Sequence, residues 1–121
     1  MKNNKVERRQ HERFEVPGAF LSYKKASFLF FKKNIIETYC PVQNLSLGGA
    51  KILCRRPLKL GARLMCRIMV PEDSLAFDLK GRLVWIYPIQ ERDFAFLAGI
   101  QFVQPSRVLA DLQKKYASDK P

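Results

Sequence analysis

Two-residue alternation of apolar and polar side chains runs through most of this chain and leaves little choice of fold. In RLMCRIMV, residues 63–70, Leu64, Cys66, Ile68 and Val70 fall on one side while Arg63, Met65, Arg67 and Met69 fall on the other. Successive side chains of a strand point to opposite faces, so this is a strand with one face on a core. From Leu75 the odd positions Leu75, Phe77, Leu79, Leu83 and Trp85 form one apolar row, interrupted by Gly81. A glycine there predicts a bend or bulge in a long strand, as at a barrel corner. In FAFLAGIQF, residues 94–102, Phe94, Phe96, Ala98, Ile100 and Phe102 share a face, and the PIQERD before it has hairpin length and polarity.

Three earlier segments, AFLSY (19–23), IIETYCPV (35–42) and GAKILC (49–54), read as strands, with short polar or Gly- and Pro-containing pieces between. Five or six strands with close turns predict a small antiparallel barrel or sandwich. After Pro105 the period changes. Ser106 can cap a helix with Val108, Leu109, Leu112 and Tyr116 along one side and Lys114 and Lys115 at its favourable C-terminal end. At 121 residues the chain is the size of one domain. A basic arm (1–12), a barrel with its helix (13–116) and a tail (117–121) are the expected divisions, the polar arm being mobile until a ligand orders it.

The formal net charge of +11 points to an anionic partner. Cys40, Cys54 and Cys66 are odd in number, lack C-x-x-C spacing and sit among apolar residues, so they read as reduced core residues of a cytoplasmic protein. The N-terminus MKNNKVERRQ has no apolar segment of a signal peptide, and the uncharged stretch 94–106 is too short and polar to span a bilayer. One histidine, no metal-ligand cluster, no P-loop and no suitably spaced carboxylate pair argue against an enzyme and against a metal or cofactor. KKASFLFFKK, residues 24–33, is an apolar run bracketed by lysine pairs. It reads as a hairpin arm joining the first two strands, or as a contact patch for a protein or a membrane surface.

Two motifs offer binding chemistry. RRQHER places Arg8, Arg9 and Arg13 just ahead of Phe14, the first apolar residue that looks like the start of a fold. Guanidinium forks hold phosphate bidentately, grip the O6 and N7 edge of guanine and stack on bases. NLSLGG follows a strand; Asn44 and Ser46, two apart, share a face in extended chain, and Gly48 and Gly49 allow a turn and a close approach to backbone. His11 and Glu12 are spacers facing solvent.

Together, R-x-x-x-R (Arg9 to Arg13) and N-x-S-x-x-G (Asn44, Ser46, Gly49) resemble the two-part motif of the PilZ domain family, and GRLVW and AGIQF resemble its later strands, over Glu7 to Tyr116. The resemblance implies an all-β fold, a six-stranded antiparallel β-barrel with a C-terminal α-helix, and a bacterial receptor for the second messenger cyclic di-GMP. Arg8, Arg9, Arg13, Asn44, Ser46, Gly48 and Gly49 would bind it. Arg8 and Arg9 would serve phosphates and guanine edges, Arg13 would stack or bridge, and Gly49 would give clearance. Asn44 stands where the family more often has aspartate; it keeps the carbonyl acceptor and loses the charge. An arginine directly ahead of R-x-x-x-R, here Arg8, accompanies two intercalated ligands per domain in such proteins. Binding would rewrite a surface that a protein partner reads. The competing readings are a small basic barrel that binds RNA or DNA, and a PilZ-like interaction module without ligand.

Overall fold

The computed structural model describes residues 12–26 and 35–117. Six antiparallel strands, β1 (Phe20–Lys25), β2 (Ile35–Ser46), β3 (Gly49–Cys54), β4 (Arg63–Val70), β5 (Leu75–Pro88) and β6 (Phe96–Phe102), are followed by one helix, α1 (Arg107–Ala117). They close in the order β1-β2-β3-β6-β5-β4, so each strand is hydrogen-bonded on both sides. This is the expected six-stranded barrel with a C-terminal helix. Closure removes the unpaired edges that would otherwise template aggregation.

The alternating rows fill the interior: Leu64, Cys66, Ile68 and Val70 are fully buried, beside Leu21, Leu45, Ile52, Leu83 and Ile100. All three cysteines are free and buried. Burial pushes the Cys66 and Cys54 thiols up to about 12, and raises Cys40 as well. One acid is enclosed with them. Glu37 accepts the Tyr23 hydroxyl at 2.7 Å and the backbone N–H groups of Arg55 and Arg56 at 2.9 and 3.3 Å. Burial, then this hydrogen bond, raises the Tyr23 pKa.

α1 begins where Ser106 predicts, its Oγ accepting the Leu109 N–H at 3.1 Å. Leu109 and Leu112 enter the core and Tyr116 packs against it. Lys115 Nζ lies 2.8 Å from Asp73 Oδ1 and the Tyr116 hydroxyl 3.3 Å from the same carboxylate, tying the helix to the 3-10 turn Pro71–Asp73 between β4 and β5.

Three expectations need correction. Gly81 carries no bulge: it pairs in register with Leu64 and Phe102. It is a glycine because an added Cβ would lie 2.6 Å from Ile100 Cγ2. The register shift falls between Leu83 and Trp85, where two steps along β5 meet one on β6. A bulge inverts side-chain parity beyond it, so Ile86 packs on the core and Trp85 leaves the interior row. Finally, β2 runs to Ser46 and not Val42, while β6 starts at Phe96 rather than Phe94. The Phe28–Phe31 run lies outside the described residues.

Candidate functional site

The approach to β1 is built by Val16-Pro17-Gly18-Ala19. Proline supplies the fixed φ of the second turn position, Gly18 takes φ 76° at the third, and Ala19 N–H closes on Val16 O at 3.1 Å. This turn lays the preceding residues along the end of β2. Phe14 and Leu45 exchange both backbone hydrogen bonds, each 2.8 Å, and both side chains are buried. Because side chains alternate, the residues flanking that antiparallel pair face outward together. Arg13 therefore stands on the same face as Asn44 and Ser46.

Two cross-strand rows continue that face around the barrel. Asn44 pairs with Lys51, Lys51 with Gly99, and Gly99 with Trp85. Ser46 pairs with Gly49, Gly49 with Gln101, and Gln101 with Arg82. Between them lies a cleft of about 370 Å³ lined by Arg13, Asn44, Ser46, Gly48, Gly49, Lys51, Val84, Trp85, Gly99 and Gln101, with backbone of Ala50 and Ile100. The lining holds two cations and no acid.

The Trp85 indole lies over Gly99, where an added Cβ would stand 2.2 Å from its ring. Tyr87 stacks behind it, with ring centroids 5.2 Å apart and an interplanar angle of 29°. The result is an aromatic surface in the same cleft as Arg13, Lys51, Asn44 and Ser46. Such a surface accepts a base by its π face while the cations take phosphate.

Ser46 has a structural duty too: its Oγ accepts the Gly48 N–H at 3.2 Å, shaping the two-residue turn Leu47–Gly48. Its own O–H remains a donor. Gly49 serves the barrel rather than giving clearance alone, since its missing Cβ makes room for the Ile100 carbonyl, whose oxygen would be 2.3 Å away. Thus Arg13, Asn44, Ser46, Gly48 and Gly49 come together from segments far apart in sequence. Arg8, Arg9 and His11 lie outside the described residues, and Glu12 is exposed. Lys51, Trp85, Gly99 and Gln101 join the cleft beyond the residues that the two motifs predict. The apolar residues on both parities of LVWIY (83–87) were a signal for Trp85, because one regular strand with a single buried face does not need both.

A protein-family model described as the PilZ domain matches residues 7–116, nearly the whole chain. The chain belongs to the PilZ domain family. Comparison with curated proteins and with solved structures gave no match. PilZ domains are in general receptors for cyclic di-GMP, ligand-binding modules rather than enzymes. Among the described residues no helix is long and apolar enough to cross a membrane, and no group of three or more His, Cys, Asp or Glu is placed to hold a metal.

Proposed function

We propose that this PilZ domain binds cyclic di-GMP in the cleft between Arg13, Asn44 and Trp85 and thereby alters the surface offered to a protein partner. The observation that carries the reading is the Phe14–Leu45 bridge, which holds Arg13 beside Asn44 and Ser46 at the rim of an acid-free cleft with an aromatic wall. Cyclic di-GMP presents two phosphodiesters and two guanines. Arg13 and Lys51 supply charge, Asn44 and Ser46 supply directional acceptors and donors, and Trp85 supplies a stacking face. Asn44 offers one neutral carbonyl oxygen to a guanine N–H edge where a carboxylate would offer two.

Arg8 and Arg9 stand five and four residues ahead of Arg13, and in this reading they close over the ligand from the arm. Two stacked ligands bring four phosphodiester charges together, so the added guanidinium of Arg8 offsets a repulsion that one ligand does not meet. Two molecules per domain is the stoichiometry proposed.

Calorimetric titration tests this. The wild-type chain binds two equivalents of cyclic di-GMP and not GMP, and Arg13→Ala weakens binding by about thirtyfold or more, the worth of a charge-assisted hydrogen bond. Arg8→Leu lowers the ratio toward one. Absence of heat at micromolar ligand sinks the proposal, and an unchanged ratio in Arg8→Leu removes the stoichiometry.

A further inference from the structure

β1 and β4 take no part in the ligand cleft, and their outward side chains, with those of neighbouring β2 and β5, form a face of three rows. In the first, Phe20 lies between Pro41 and Met69, and Met69 is opposite Ala76. In the middle row Ser22 is opposite Arg67 and Arg67 opposite Asp78. Tyr39 stands beside them in the β1–β2 register shift, its ring 4.9 Å from that of Phe20. In the third row Lys24 lies between Ile35 and Met65, and Met65 is opposite Lys80.

Most of these positions are apolar, although they point away from the core, and Tyr39 and Ile35 are 49% and 54% exposed. Single exposed apolar side chains are ordinary on a protein surface, whereas a contiguous set marks a contact. At its centre the small Ser22 floors a shallow hollow of about 220 Å³ between Lys24, Ile35, Met65, Arg67 and Asp78. Both edges of β1 and of β4 are already paired, so a partner cannot add a strand here and must pack on the face itself.

The charges of the face indicate which partner. The chain carries a formal net charge of +11, yet this face is close to neutral. Arg67 and Asp78 pair at 2.8 Å in the middle row, and Lys24 and Lys80 stand at one end. Beyond the other end the turn Pro71–Asp73 supplies exposed Glu72, and Asp73 tied to Lys115. A partner of one sign, such as a nucleic acid, an anionic membrane or an acidic peptide, meets like charge at one end. A second copy turned end for end, about an axis crossing the strands at the middle row, sets its Glu72 over Lys24 and Lys80 and receives the same contact in return. That is the self-complementarity of an isologous contact. Four strands about 4.8 Å apart and five residues of about 3.4 Å each cover roughly 19 by 17 Å, the small end of specific interfaces. We propose that this face is the interface of a weak, reversible two-fold homodimer, with a dissociation constant on the order of tens of micromolar. The dimer needs no nucleotide, because none of these residues lines the cleft.

The test is sedimentation equilibrium of the full chain without nucleotide, from about one to several hundred micromolar. The mass should rise from one chain to two and stop there. Association should hold or strengthen as salt is raised, because screening weakens the repulsion between two strongly cationic chains. Tyr39→Lys with Met69→Lys should weaken it by at least about thirtyfold, through lost apolar burial and added cations. Glu72→Lys should weaken it about fivefold, and adding Lys80→Glu should restore it to within about twofold. Adding Arg92→Glu instead gives the same net charge and should restore nothing, since Arg92 lies in the turn before β6, the strand opposite β1 in the barrel.

Melting curves separate association from folding. Tyr39 and Met69 lie outside the core cluster, so their replacement should move the midpoint by less than about 5 °C; the exposed charge exchanges serve as the test if it moves further. A chain that stays monomeric at several hundred micromolar overturns the proposal. So does association that disappears at high salt, which would mean bridging by a polyanion, and so does rescue by Arg92→Glu equal to that by Lys80→Glu, which would mean that net charge and not this face sets it.

Discussion

Replacing Gly49 by alanine separates two roles that one glycine can have beside a ligand. An added Cβ would lie 2.3 Å from the Ile100 carbonyl oxygen, where ordinary contact begins near 3.4 Å, a deficit of 1.1 Å. Ile100 cannot simply withdraw: its strand is held on the far side by β5, with Leu83 paired to it. Relief requires opening the β3–β6 ladder at Gly49–Gln101 or the β5–β6 ladder behind it. Overpacking strain of about 1–3 kcal/mol and roughly two ladder hydrogen bonds at about 1 kcal/mol each give a destabilisation of about 3–5 kcal/mol. For a domain of this size that is a fall in melting midpoint of about 10–20 °C. Circular dichroism melting of Gly49→Ala against wild type, both without ligand, reads it directly. A midpoint within about 3 °C of wild type would refute the reasoning and return Gly49 to a role in ligand clearance alone.

Gly99→Ala should behave in the opposite way, because its Cβ meets the Trp85 indole and not backbone; the ring swings away, stability falls by about 1 kcal/mol or less, and cyclic di-GMP affinity measured by calorimetry drops severalfold. Glu37→Ala strands the Tyr23 hydroxyl and the Arg55 and Arg56 amides, so urea denaturation should show a loss of about 3 kcal/mol or more; a loss under about 1 kcal/mol would mean that water takes the acceptor's place. Burial pushes the Cys66 thiol up to about 12 from 9.0, so the unfolded chain loses its proton first as pH rises. The stability this thiol contributes is complete below pH about 9 and declines toward pH 12, by about 1.4 kcal/mol per pH unit. Urea midpoints at about pH 8 and 10.5 should differ accordingly, and less so in Cys66→Ala; equal midpoints contradict the burial argument.

Most of the barrel was legible because one interior and one solvent face impose period two, as in Leu64 to Val70, and because GAKILC and Ser106 carry their own boundaries. The register of β5 was not. A bulge at Val84 needs no glycine, only a partner strand one residue short, and that length is fixed by β6 rather than by anything within β5. The candidate site divides the same way. Arg13, Asn44 and Ser46 could be read as a set from their residue types and spacing, and the Phe14–Leu45 bridge is what joins them. Lys51, Gly99 and Trp85 enter the cleft through cross-strand pairing, which is a property of tertiary register. Gly49 shows the converse: its residue type was conspicuous, but the atom that demands it belongs to Ile100, fifty-one positions along the chain.

The most direct test of the central claim uses Trp85, the single tryptophan of the chain and the wall of the cleft. If cyclic di-GMP stacks there, titration produces a saturable change in tryptophan emission, absent with GMP or inorganic phosphate, and Arg13→Ala shifts the midpoint to higher ligand without abolishing the change. Emission that stays constant while calorimetry reports binding would place the ligand elsewhere on the barrel and contradict the account.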